Sequence, residues 1–117
     1  MSRMQKIPYD FVFGATVTTK TIPIGCNGYI TDIILVNPAN TNSVTAALSI
    51  QDNEGYELWN STAKAAGTTT HFPTDMAADV ADIPSDIGFK MVVTLSGNAG
   101  ITGATVKVRL YIKAQKF

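Results

Sequence analysis

Cysteine, histidine and tryptophan each occur once in this chain of 117 residues, and only 15% of its residues are charged. A single cysteine, Cys26, permits no intrachain disulfide, which excludes a disulfide-stapled secreted domain. One Cys and one His do not supply the ligands of a structural zinc site. His71, in Thr-Thr-Thr-His-Phe-Pro, is the one imidazole base available to a serine or cysteine nucleophile, and no serine sits in a Gly-x-Ser-x-Gly turn. Nothing in the spacing joins His71 to Cys26. Both are expected to be structural, the cysteine as a small hydrophobe beside a turn. No catalytic set is expected, and the chain reads as a non-enzyme.

The scarcity of charge has a second consequence. Soluble domains carry about a quarter of their residues as charges, and here nine basic residues balance nine acidic ones. A net charge of zero argues against a generic nucleic-acid binder, which needs a positive field. So few charges suggest that part of the surface is covered by other subunits. No apolar run approaches the ~20 residues of a membrane span. Met1–Lys6 is polar and leads at once into strand-like sequence, so no secretory signal is expected and synthesis in the cytoplasm is.

Two further chemistries fail on spacing. Asp52-Asn53-Glu54-Gly55 lacks the spaced carboxylates and distal Glu of a calcium loop and reads as a hairpin turn. Gly97, Gly100 and Gly103 lie between strand-like stretches with no helix behind them, so they read as turn glycines instead of a phosphate cradle. No metal, cofactor or small-molecule substrate is expected.

What the chain does hold is alternation. Val106, Val108, Leu110 and Ile112 are apolar, and Thr105, Lys107, Arg109, Tyr111 and Lys113 between them are polar or amphipathic. Side chains on a strand alternate between faces, so this stretch, from Ile101 to Lys113, places one face on a core and one in water. The same period runs through Phe11, Phe13, Ala15 and Val17, through Val44, Ala46, Leu48 and Ile50, and through Phe89, Met91, Val93 and Leu95. Ile33–Val36 are apolar on both parities, which suits a strand covered on both sides or one covered by a neighbouring chain. Short strands are also expected at Tyr56–Asn60 and Thr68–Phe72. Val44–Asn60 and Phe89–Lys113 are the best hairpin candidates. Ser61–Gly67 reads as a loop, with one helical turn at Thr62–Ala66 as an option. In Asp75–Asp86 the aspartates recur at spacings of four, three and four, so a short helix and an acidic connection are both open.

Together these make about eight short strands joined by Gly, Asn and Pro turns, with no long helix. That pattern predicts an all-β, single-domain antiparallel β-sandwich over residues 9–117, preceded by an N-terminal arm at residues 1–8. A jelly roll is the preferred topology, and an immunoglobulin-like sandwich is the alternative.

The candidate partner-contact residues lie outside the core periods and are charged except for one tyrosine: Arg3 and Lys6 on the arm, Asp75, Asp79 and Asp82 in the acidic middle, and Lys107, Arg109, Tyr111 and Lys113 on the basic C-terminal strand. Two ordinary solvated surfaces would explain them. Complementary patches between subunits are the sharper reading. A single aromatic on the basic strand argues against single-stranded nucleic acid. Tyr9, Tyr29, Tyr56 and Trp59 are the candidates for sugar stacking, but Tyr56 and Trp59 fall on opposite faces of a regular strand, and Trp59 is expected in the core.

Tyr29-Ile-Thr-Asp-Ile-Ile-Leu-Val-Asn-Pro-Ala-Asn and Val44-Thr-Ala-Ala-Leu-Ser-Ile-Gln-Asp resemble stretches of small β-sandwich structural proteins of tailed bacteriophages, with capsid cement or decoration proteins matching the size best. The resemblance carries no site residue over. It implies a homo-oligomer, commonly a trimer, that sits on the surface of the virion capsid, binds the major capsid protein and holds the head against internal pressure. No membrane or nucleic-acid partner is implied. A carbohydrate-binding or receptor-binding module is the alternative, and another head–tail or tail component is a third reading.

Overall fold

The computed structural model of the chain describes residues 4–14, 16–25, 27–73, 83–85, 88–100 and 104–113. These residues form nine strands and no helix: β1 (Met4–Phe13), β2 (Thr19–Pro23), β3 (Gly28–Asn37), β4 (Ala46–Gln51), β5 (Glu57–Asn60), β6 (Thr68–Pro73), β7 (Ile83–Ser85), β8 (Lys90–Leu95) and β9 (Ala104–Lys113). One sheet runs β1-β9-β3-β6, with the short β7 also pairing β3; the other runs β2-β8-β4-β5. Every pairing is antiparallel. Read position by position, the two orders match strands that are consecutive in the chain: β1 with β2, β9 with β8, β3 with β4 and β6 with β5. This is one long hairpin wound into two sheets, the expected jelly roll.

The core lies between the sheets and follows the alternation. Val106, Val108, Leu110 and Ile112 of β9 are sealed against Ala46, Leu48 and Ile50 of β4 and Met91, Val93 and Leu95 of β8. Phe11 and Phe13 complete one end of the cluster. A bulge in β3, between Ile30 and Asp32 in the pairing with β9, shifts the parity there. Ile30 and Ile33 are therefore both buried although an odd number of positions separates them, and Thr31 is buried between them. Past the bulge Asp32, Ile34 and Val36 line the outer face.

Several expectations need correction. Residues 4–8, expected as part of a free arm, are the first half of β1: Met4–Pro8 pair with Arg109–Lys113. A ten-residue β9 offers a full edge of backbone donors and acceptors, and satisfying them favours the longer strand. Pro8 is tolerated because β1 is a sheet edge. The expected Phe89–Lys113 hairpin does not form, since β8 and β9 belong to different sheets. Each strand buries alternate residues in one core, and placing them in opposite sheets lets both do so. The first strand stops at Phe13, and Val17 is 39% exposed. No helical turn occupies 62–66; Lys64 instead exchanges two backbone hydrogen bonds with Ala46, at 2.8 and 2.9 Å. Within the ambiguous 75–86 stretch, residues 83–85 form β7 against Gly28–Ile30, and the rest lies outside the described residues.

The expected β4–β5 hairpin is present. The Asp52 carboxylate accepts hydrogen bonds from the Glu54 and Tyr56 amides, both at 2.9 Å, and Gly55 turns the chain at a φ of 89°. Asn37, fully buried at the end of β3, donates to the carbonyls of Val44 and Lys64 at 3.2 and 3.0 Å. It ties two connections to the sheet.

Leu110→Ala should cost about 2–5 kcal/mol in urea unfolding, because it leaves a cavity in a sealed core. Lys107→Ala, one face over, should stay within about 0.5 kcal/mol.

Candidate partner-contact face

The outward residues of the five-stranded sheet form one continuous face, set by the strand registers. Across it run three rows. Asp10 pairs with Lys107, then Val36, then Thr69; Pro8 pairs with Arg109, then Ile34, then His71; Lys6 pairs with Tyr111, then Asp32. Four of the residues singled out from sequence, Lys6, Lys107, Arg109 and Tyr111, meet here. Lys113 is placed at the end of β9, opposite Met4 and Tyr29. Arg3, Asp75, Asp79 and Asp82 lie outside the described residues.

The polar groups on this face are largely held in place. Arg109 Nη1 donates to Asp10 Oδ1 at 3.1 Å, to the Tyr9 carbonyl at 3.2 Å and to the Val108 carbonyl at 3.1 Å. The guanidinium therefore lies along the sheet across β1 and β9, and its side chain is only 22% exposed. His71 Nε2 donates to Asp32 Oδ1 at 3.0 Å. The other Asp32 oxygen lies 3.1 Å from the Thr31 hydroxyl, which also reaches the Tyr111 carbonyl at 3.3 Å. The Lys6 ammonium stands 5.9 Å from the centre of the Tyr111 ring, within cation–π range. Lys107 is exposed. Ile34 and Val36, half-buried, are the apolar ground between these charges.

Lys6, Lys107 and Arg109 outnumber Asp10 and Asp32 on this face by one charge. The acidic partner of the basic strand is thus Asp10, and Asp32 is that of His71; the sequence reading passed over both. Their signal was their parity: both fall on outward positions of β1 and β3 once the register and the β3 bulge are known. At one end the face runs into an open depression of about 400 Å³ lined by Val12, Phe13, Pro38, Ala39, Ala104, Thr105 and Lys107. Val12 is 57% exposed there.

The aromatic candidates separate. Trp59 is half-buried and meets Phe72 edge-on, ring centres 5.1 Å apart at 75°, so it supports the open side of the sandwich. Tyr56, beside the 52–55 turn, is 68% exposed. Cys26 lies outside the described residues, and among those residues no group of three or more His, Cys, Asp or Glu is placed to hold a metal. No helix among them is long and apolar enough to cross a membrane.

No protein-family model matches the chain, and a comparison with curated proteins returns no match. Among solved structures it is similar to a mitogen derived from Yersinia pseudotuberculosis, at 8% identity and a TM-score of 0.44, over 96% of this chain and 87% of that one. It is also similar to the C-terminal family 22 carbohydrate-binding module of Clostridium thermocellum Xyn10B, at 14% identity and a TM-score of 0.40, over 82% of this chain and 62% of that one. A third likeness is to a chain of the T13 infectious bursal disease virus particle, at 16% identity and a TM-score of 0.41. It covers 95% of this chain and 31% of the viral one. No tailed-phage family is among these likenesses, and at such identities they concern the general β-sandwich form and none of the residues of the outer face.

Removing the Asp10–Arg109 pair tests how firmly the face is built. Asp10→Ala should cost about 0.2–1 kcal/mol of stability, as expected for a partly exposed ion pair. A double-mutant cycle with Arg109→Ala, read by thermal unfolding, should return a coupling of that size.

Proposed function

We propose that the chain is a non-enzymatic structural protein of a virion, of the capsid cement or decoration type, that oligomerises on the capsid surface and binds the major capsid protein. The observation that carries this reading is the ordered outer face of the five-stranded sheet. Its arginine and histidine are held by carboxylates, its apolar residues lie between them, and it ends in the depression at Val12. A contact surface whose side chains are already fixed loses little rotamer freedom on binding. Alternating charge gives register and selectivity against wrong partners more than raw affinity. Low charge elsewhere and weak contacts repeated over a lattice suit the same role, since each bound copy raises the effective concentration of the next contact. The trimer is the oligomer that the phage resemblance implies.

Purified protein should pellet with expanded tailed-phage capsids in co-sedimentation. Val12→Asp combined with Lys107→Glu should leave it in the supernatant while its unfolding curve stays unchanged. Unaltered protein that fails to pellet would sink the cement reading.

The exposure of Tyr56 favours a second reading, a carbohydrate-binding module. In that case glycan-array signal should be lost on Tyr56→Ala, whereas Trp59→Ala would act through lost packing against Phe72.

A further inference from the structure

We propose that the Asn27–Gly28 peptide is a self-modifying site, at which the folded chain converts Asn27, with no enzyme, into an aspartyl or isoaspartyl residue. The proposal is independent of the virion reading. Asn27 stands exposed between β2 and β3. Gly28 follows it at a φ of 144°, in a region that favours glycine. The chemistry needs only water. The Gly28 amide nitrogen loses its proton to solvent and attacks Cγ of the Asn27 side chain. A C–N bond forms, the Cγ–Nδ2 bond breaks and ammonia leaves, which closes a succinimide ring. Water then opens the ring. Attack at Cγ gives an aspartyl residue with the ordinary backbone, and attack at the backbone carbonyl gives an isoaspartyl residue whose chain runs through Cγ. Either way one water enters, one ammonia departs and the chain gains one negative charge. The isoaspartyl form also lengthens the backbone just ahead of β3.

The fold withholds this reaction from the other six asparagines. The nucleophile is the amide nitrogen of the next residue, and a nitrogen that donates elsewhere is held away from Cγ. Asn37 is fully buried and precedes Pro38, which has no N–H. After Asn42 the Ser43 amide donates to the Asn40 carbonyl at 3.2 Å. After Asn53 the Glu54 amide donates to Asp52 Oδ1 at 2.9 Å. After Asn60 the Ser61 amide donates to the Leu48 carbonyl at 2.9 Å, and the Thr62 amide donates to Asn60 Oδ1 at 3.3 Å. Asn98 precedes the sealed Ala99. Asn40 precedes the β-branched Thr41, and its Oδ1 accepts from the Val44 amide at 2.9 Å. Gly28 offers the least obstruction. It has no side chain, and it lies beyond the pairing with β9, which begins at Tyr29. Its strand partner is Ser85, the last residue of the three-residue β7. Pairing at the end of so short a strand opens locally at small cost.

Peptide mapping by mass spectrometry follows the reaction on the full chain, held folded in warm, mildly alkaline buffer. Amide loss at Asn27 should run roughly tenfold ahead of every other asparagine, a difference of about 1.4 kcal/mol in barrier. A protein isoaspartyl methyltransferase with a labelled methyl donor should mark the same peptide. In urea the rates at Asn42 and Asn60 should rise several-fold while that at Asn27 changes less, since unfolding frees the Ser43 and Ser61 amides. Asn27→Gln should remove the early acidic species seen on isoelectric focusing, because the longer side chain closes its ring far more slowly. An Asn27 that stays intact in the folded chain, one that reacts no faster than Asn42 or Asn60, or rates at those two that unfolding leaves unchanged would each overturn the proposal. Mapping the unaltered chain decides these outcomes even if the variant does not fold. Capsid co-sedimentation addresses the sheet face and Val12, so the two readings fail separately.

Discussion

The alternation along β9 is the constraint on which both faces of the five-stranded sheet rest. β9 is clasped between β1 and β3, and Val106, Val108, Leu110 and Ile112 are sealed within it. Because the side-chain period is two, a slip of one residue would exchange the faces. Lys107 and Arg109 would then enter the core and the valines would face water. Burying an unpaired charge costs far more than one core contact returns. The core therefore sets the position of the outer residues to within one strand register, although none of those residues contributes much to stability.

Given that register, the outer face is built by short-range chemistry. Arg109 spans β1 and β9 with three acceptors. Asp32 reaches the outer face because the bulge at Thr31 resets the parity of β3, and it there receives His71 from β6. Outer-side contacts thus join β1 to β9 and β3 to β6. Ile34 and Val36 on this face answer to the double-sided apolar run at Ile33–Val36, of which the odd members are buried and the even members are half-buried outside.

Edge control explains features that the face does not. Pro8 and the charges of β1 guard the longest edge of the fold, and the same residues that read from sequence as an arm act as that guard.

Most of the strands, the core residues, the β4–β5 hairpin and the two-sheet class were legible in sequence, because a period of two and a turn such as Asp52–Gly55 are local properties; the short β7 was not. The N-terminal arm, the Phe89–Lys113 hairpin and the exposure of Val17 were misread for one reason. Local pattern tells that a strand exists and which parity is buried, but not which sheet receives it or how far a neighbour's unpaired backbone extends it. The site shows the same division. Lys6, Lys107, Arg109 and Tyr111 stood out by charge and alternation, whereas Asp10, Asp32 and His71 joined them only through register, and Asn37 became a buried tie only once two connections were brought to the end of β3. By itself the sequence determined alternation, turn chemistry and the scarcity of charge. The tertiary structure decided the neighbours, since antiparallel pairing between residues as distant as Asp10 and Lys107 depends on backbone hydrogen bonds and core closure that no local stretch encodes.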